Sequence, residues 1–124
     1  MRCLIVDDNE RFLASAVRLL ESQGLDVVGC ASTGAEALGL AAALSPDVAL
    51  VDVELGAEDG LNVALRLFAA PRRTPVILIS AHEPAALADL TRDTPVPFLA
   101  KPSLSAAEIR RLLSSAGPQV GQDS

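Results

Sequence analysis

The sequence predicts an α/β domain: a five-stranded parallel sheet with helices packed on both faces. Three observations carry this. Five short apolar runs alternate along the chain with longer stretches of helical period, and parallel strands need such crossovers. The apolar runs are continuous rather than alternating, as strands buried on both faces are. Acids, a hydroxyl and a lysine stand at the carboxyl ends of these runs, where open α/β sheets carry their chemistry.

Taken in order, Arg2–Val6 is an apolar strand stopped abruptly by Asp7 and Asp8. A helix follows from Asn9 to Gln23, with Phe12, Leu13, Ala16, Leu19 and Leu20 along one face and Gly24 as its stop. Asp26–Cys30 is the second strand. Thr33 and Glu36 form a capping box that opens a second helix, which ends before Ser45-Pro46. Asp47–Val51 is the third strand, with Asp52 at its end. A turn through Gly56 leads to Asp59, placed to cap a third helix over Gly60–Ala69.

Pro75–Ile79 is the fourth strand, closed by Ser80, and Ala85–Thr91 has the pattern of a short, weak helix. Val96–Ala100 is the fifth strand. Ser105 and Glu108 form a second capping box for a last helix reaching Ser115. These elements make one domain over residues 1–116. The remaining residues, 117–124, are polar with no apolar period and are expected to form a flexible tail.

At 124 residues one core suffices without disulfide or metal staples. Half of the residues are hydrophobic, yet no run approaches the roughly 20 that span a bilayer. The apolar start breaks too early at Asp7-Asp8 for a secretory signal, so a cytoplasmic protein without a membrane partner is expected. A net charge of −6, with only the pairs Arg72-Arg73 and Arg110-Arg111 as basic clusters, disfavours direct nucleic-acid binding. Cys3 and Cys30 each lie inside an apolar run and read as small buried hydrophobes. Two cysteines and one histidine, widely spaced, make no zinc pattern.

If the first and third strands are neighbours, Asp7, Asp8 and Asp52 converge. Three carboxylates repel and require a compensating cation. Oxygen ligands without His or Cys select a hard ion, for which Mg²⁺ is the natural candidate. Lys101, after the fifth strand, adds a compact positive charge, and the Ser80 hydroxyl can donate to the same group. Together these residues describe a phosphoryl site: cation and lysine neutralise charge while a carboxylate acts as nucleophile. Asp52 is the acid placed centrally. Singly, Asp8 could serve as a helix cap, Ser80 as a turn residue and Lys101 as a loop lysine. Their recurrence at successive strand ends favours the functional reading.

These same residues are the ones by which the chain resembles the receiver domains of two-component response regulators, over residues 1–115. Leu4-Ile5-Val6-Asp7-Asp8 looks like the family's first strand and acid pair. Asp52 matches its phosphoacceptor, Asp59-Gly60 its Asp-Gly, Ser80-Ala81 its Ser/Thr-Ala, Lys101-Pro102 its Lys-Pro and Phe98 its switch aromatic. The resemblance implies a flavodoxin-like, three-layer sandwich of strand order 2-1-3-4-5, and bacterial origin follows from it alone. It implies that Asp8 and Asp52 ligate Mg²⁺ with the Glu54 backbone carbonyl, and that Asp7 acts largely through water. Asp52 would take a phosphoryl group from a histidine kinase or histidine phosphotransfer protein. Ser80 and Lys101 would hold its oxygens while Phe98 reorients, and a downstream target or output domain would read the change. A cis bond before Pro102 is also implied.

Two departures from the family's pattern stand out. Leu55-Gly56 replaces the usual Met-Pro after the acceptor, and Glu54 and His82 bring ionisable groups to positions flanking the phosphoryl group. Of the other classes, an aspartyl-nucleophile phosphohydrolase of the haloacid-dehalogenase type would need Asp-x-Asp on the first strand and a cap insertion. A degenerate receiver acting only as an interaction module would not need the complete residue set. A nucleotide site would need a Gly-rich phosphate loop, and none is present.

Overall fold

The computed structural model describes residues 1–70, 73–81 and 96–122, with side chains to residue 114. The strands of its main sheet are β1 (Arg2–Val6), β2 (Asp26–Ala31), β3 (Val48–Asp52), β6 (Val76–Ser80) and β7 (Phe98–Ala100). They are parallel and lie in the order β2-β1-β3-β6-β7, which is the 2-1-3-4-5 arrangement in terms of the five sequence-predicted strands. A hairpin of β4 (Glu54–Leu55) and β5 (Glu58–Asp59) is inserted after β3. The α-helices among the described residues are α1 (Glu10–Ser22), α2 (Gly34–Leu44), α3 (Gly60–Ala69) and α4 (Ala106–Gln122). The helix expected at Ala85–Thr91 and the side chain of His82 lie outside the described residues.

Residue alternation splits the core in two. Leu4, Val6, Ala49, Val51, Val76 and Leu78 face α2 and α3, where they meet Ala37, Ala41, Val63 and Leu67. Cys3, Ile5, Val48, Leu50, Ile77, Ile79 and Leu99 face α1 and α4, where they meet Ala16, Leu20 and Ile109. Each central strand is therefore apolar on both faces except at its ends, which is why it reads as a continuous run. Burial pushes the Cys3 thiol up to about 12, with the Cys30 thiol adding to the shift.

The helix boundaries follow from their caps. Asn9 caps α1, its side chain accepting from the amides of Arg11 and Phe12 at 3.0 and 3.1 Å. Thr33 caps α2 by accepting from the Glu36 amide at 3.2 Å. The Glu36 carboxylate, however, reaches back to the Ser32 amide and hydroxyl, at 2.9 and 3.0 Å. Asp59 caps α3 through the Leu61 amide at 3.0 Å. Ser105 caps α4 through the Glu108 amide at 3.1 Å, while the Glu108 carboxylate turns to Arg111.

The structure differs from expectation at several points. Leu19 is exposed, because it falls at the edge of the α1 stripe centred on Ala16 and Leu20. Cys30 is also exposed rather than buried, since β2 is an edge strand with half-covered positions. The backbone of α4 stays helical to Gln122, beyond the expected end at Ser115. Gly117 and Pro118 disfavour a helix, but proline's fixed φ near −65° is itself a helical value. Among the described residues no peptide bond is cis, so Lys101-Pro102 is trans; Pro102 lies in a 3₁₀ turn over Lys101–Ser103.

Gly60 closes the β3–α3 connection. Its amide donates to the Val53 carbonyl at 2.9 Å, and a Cβ placed on it would lie 1.7 Å from the Asp52 carbonyl oxygen. That atom is backbone and cannot turn aside. Gly60→Ala is expected to destabilise the chain by about 3 kcal/mol or more, read from the urea midpoint by far-ultraviolet circular dichroism. A loss below about 1 kcal/mol would show that the connection relaxes around the methyl.

Candidate functional site

The carboxyl ends of β1, β3 and β7 bring the expected residues together through strand parity. Asp7 continues the Cys3, Ile5 series, Asp52 the Val48, Leu50 series, and Lys101 the position after Leu99 on the same face. β1 pairs directly with β3, so Asp7 and Asp52 end adjacent strands. Asp7 is fully buried and Asp52 is 7% exposed.

Lys101 bridges the two. Its Nζ lies 2.6 Å from Asp7 Oδ2 and 3.0 Å from Asp52 Oδ2. The other oxygens are held by backbone: Asp7 Oδ1 accepts from the Asn9 amide at 2.8 Å, and Asp52 Oδ1 from the Glu54 amide at 2.9 Å. Asp7 Oδ2 meets the ammonium as an ion pair but accepts no well-aligned hydrogen bond. Asp8 is exposed, and because Asn9 takes the capping role its carboxylate is left facing the cluster. One carboxylate oxygen from each of Asp7, Asp8 and Asp52 lies within 4.8 Å of the others.

Burial raises the pKa of Asp52 and the neighbouring Asp7 charge adds to it; the Glu54 amide and Lys101 only partly offset them. Lys101 loses hydration through burial, yet its contacts with Asp7 and Asp52 outweigh that and raise its pKa. The lysine is therefore a fixed cation. Three acids against one lysine leave the cluster two charges negative when all are ionised, with a buried oxygen lacking an aligned donor. Both features fit a divalent hard cation. A cleft of ≈ 430 Å³ opens beside the acid pair, with Glu10 and Glu36 also in its lining, and its sign favours cations.

Ser80 is buried at the end of β6, paired with Ala100, which precedes Lys101. Phe98 is half-buried at the start of β7 opposite Leu78, packed against the α2–α3 core. The side chain of Glu54 is exposed on the hairpin, outside the group formed by the three acids. Sequence reasoning missed Phe12 as a site residue: its ring carries the Lys101 ammonium 4.2 Å from the centroid, a cation–π contact that orients the lysine. Helical period marks Phe12 only as apolar; nothing local connects it to a lysine 89 positions later.

A family model for the response regulator receiver domain matches residues 3–114. The chain belongs to the response regulator receiver family. Its fold agrees with solved receiver domains. That of a modulated diguanylate cyclase from Desulfovibrio desulfuricans G20 is 34% identical with a TM-score of 0.79, covering 99% of this chain and 98% of that one. The receiver domain of the response regulator NarL from Mycobacterium tuberculosis is 38% identical with a TM-score of 0.73, over 94% of this chain and 95% of that one. A probable transcriptional regulatory protein NarL of Mycobacterium tuberculosis is 37% identical over 118 residues, 94% of this chain but 55% of that protein. The chain thus spans about half the length of that relative. Receiver domains of two-component signalling generally bind Mg²⁺ at an acidic pocket, and this one has a three-aspartate cluster. Among the described residues no helix is long and apolar enough to cross a membrane.

The raised pKa of Asp52 has a sign that can be tested. A carboxyl group whose folded pKa lies above its unfolded value loses stabilisation as pH rises through the folded value. In chelator, Asp52→Asn keeps the acceptor for the Glu54 amide and leaves Lys101 paired with Asp7. The variant is expected to be more stable than wild type, by a margin that grows as pH rises from the ordinary aspartate range through the raised value. Urea midpoints across that range measure it; a constant margin would show that Asp52 ionises without penalty.

Proposed function

We propose that this receiver domain is a phosphorylation switch in which Asp52 accepts a phosphoryl group from a histidine kinase or histidine phosphotransfer protein. The observation that carries the reading is the Asp52 carboxylate itself, ending β3, with one oxygen held at 2.9 Å by the Glu54 amide and the other 3.0 Å from Lys101. An oxygen of Asp52 attacks phosphorus; the O–P bond forms as the P–N bond to the donor imidazole breaks, and the leaving nitrogen keeps the electron pair. Carboxylates are weak nucleophiles, so positioning and charge neutralisation supply the catalysis.

Mg²⁺ would be held by Asp8, Asp52 and the Glu54 backbone carbonyl, with Asp7 acting through water, and would neutralise charge on the transferred oxygens. Lys101 releases Asp52 to the phosphoryl group and pairs with one of its oxygens, kept in line by Asp7 and by the Phe12 ring. The Ser80 hydroxyl donates to another oxygen, and Phe98 changes packing in response. Glu54 and His82 tune the lifetime of the aspartyl phosphate. The domain assists its own phosphorylation and dephosphorylation and turns over no separate substrate.

The switch operates by shifting a two-state equilibrium, with the charge on Asp52 as the bias. A downstream protein or an output domain reads the altered surface, in the cytoplasm and without direct nucleic-acid contact by this chain. Relatives of about twice its length with regulatory names support an output beyond the receiver itself.

The test is an intact-mass measurement after incubation with Mg²⁺ and acetyl phosphate. Wild type is expected to gain one phosphoryl group. Asp52→Ala and wild type in chelator are expected to gain none, and Lys101→Met to gain it at least about tenfold more slowly. A folded wild-type chain that gains nothing from any small phosphodonor would favour a binding module that has kept the site without its chemistry.

A further inference from the structure

The hairpin after Asp52 is attached to a second element in a way the phosphoacceptor chemistry does not require. The Glu58 carboxylate accepts a hydrogen bond from the Gly34 amide at 2.9 Å, across 24 positions of sequence. Gly34 is the first residue of α2, so its amide is one of the donors a helix leaves without an internal partner. Thr33 serves the Glu36 amide instead, and Glu58 satisfies Gly34. The approach is close. A Cβ on Gly34 would lie 2.7 Å from Glu58 Oε2 and 2.8 Å from Val63 Cγ2.

Glu58 is not free to make this contact independently of the site. It belongs to β5 and faces Leu55 across the hairpin, while Asp59 faces Glu54. Leu55 is buried in the α2–α3 core, and the Glu54 amide is fixed on Asp52 Oδ1. Gly56, at the turn, has φ of +57° and brings the hairpin tip to Asp8: a Cβ there would be 3.3 Å from Asp8 Oδ2. The hairpin is thus pinned at three places: Asp52 at its base, the core through Leu55, and the first turn of α2 through Glu58.

We propose that Glu58 is a positioning residue for cation binding, holding the hairpin over the acid cluster by docking on the Gly34 amide. The inference rests on the proposed Mg²⁺ site, whose ligands Asp52 and the Glu54 carbonyl flank or lie on that hairpin. Preorganised ligands bind a metal more tightly than ligands that must first be ordered. Cation affinity at Asp8 and Asp52 therefore depends on a contact at the start of α2. By reciprocity, cation binding tightens that contact.

Charge and contact are separated by comparing Glu58→Gln with Glu58→Ala. Both remove one negative charge near the cluster, but only glutamine keeps a side-chain oxygen for the Gly34 amide. The Mg²⁺ dissociation constant is measured by calorimetry without a phosphodonor, and the Gly34 amide resonance is followed by nuclear magnetic resonance through the same titration. Glu58→Ala is expected to bind Mg²⁺ roughly fivefold or more weakly than Glu58→Gln, with the Gly34 resonance responding to Mg²⁺ in wild type and Glu58→Gln only. A purely structural role would lower the melting temperature of Glu58→Ala while leaving its Mg²⁺ affinity equal to that of Glu58→Gln. That equality would overturn the inference and leave the metal site standing. A wild-type chain that binds no Mg²⁺ would overturn both.

Discussion

Two carboxylates held side by side out of water, Asp7 beyond β1 and Asp52 at the end of β3, repel one another, and burial makes Asp52 resist ionisation. The chain tolerates the pair because Lys101 comes between them from the end of β7, at 2.6 and 3.0 Å. Removing that lysine would leave two buried charges without a counter-ion, the situation in which a broken ion pair costs most. Asp8, added at the open side, is one acid too many for the lysine alone. Neutrality is thus incomplete by construction, and the deficit is what a cation or a transferred phosphoryl group with its cation can act on.

Much of this geometry is contained in a pattern of two. Parity along β1, β3 and the β7 end sends Cys3, Ile5, Val48, Leu50 and Leu99 toward α1 and α4, and the same count brings Asp7, Asp52 and Lys101 to one side. Continuous apolar strands and polar strand ends are therefore two outcomes of one arrangement. This is why the strands, the acid cluster and the lysine were legible in the residues, while the strand order came from the family resemblance. The capping side chains of Thr33, Asp59 and Ser105 marked three helix starts, and the cap of α1 proved to be Asn9 rather than Asp8.

Other features were not legible, for reasons that differ. Phe12 and Lys101 meet only because α1 packs over the β7 end, and Glu58 meets Gly34 only because the hairpin turns toward α2. No local pattern encodes contacts of that span. Leu19 was expected inside on helical period and Cys30 on its apolar surroundings; the edge of a helix stripe and the edge of a sheet leave such residues out. The hairpin of β4 and β5 has strands of two residues, shorter than any periodicity can mark, and was read as a turn. The end of α4 was misplaced because Gly and Pro are propensities rather than prohibitions.

The central claim is that the acid cluster carries a charge deficit that a divalent cation relieves. The most direct measurement is the urea unfolding free energy of the unphosphorylated chain, in chelator and in rising Mg²⁺. The account predicts that stability climbs with Mg²⁺ as mass action requires, by about 2.7 kcal/mol at one hundred times the dissociation constant, and that the Asp8→Asn, Asp52→Asn double variant is stable in chelator and indifferent to Mg²⁺. A wild-type chain whose stability does not respond to Mg²⁺ would contradict it, leaving Lys101 as the whole of the cluster's neutralisation.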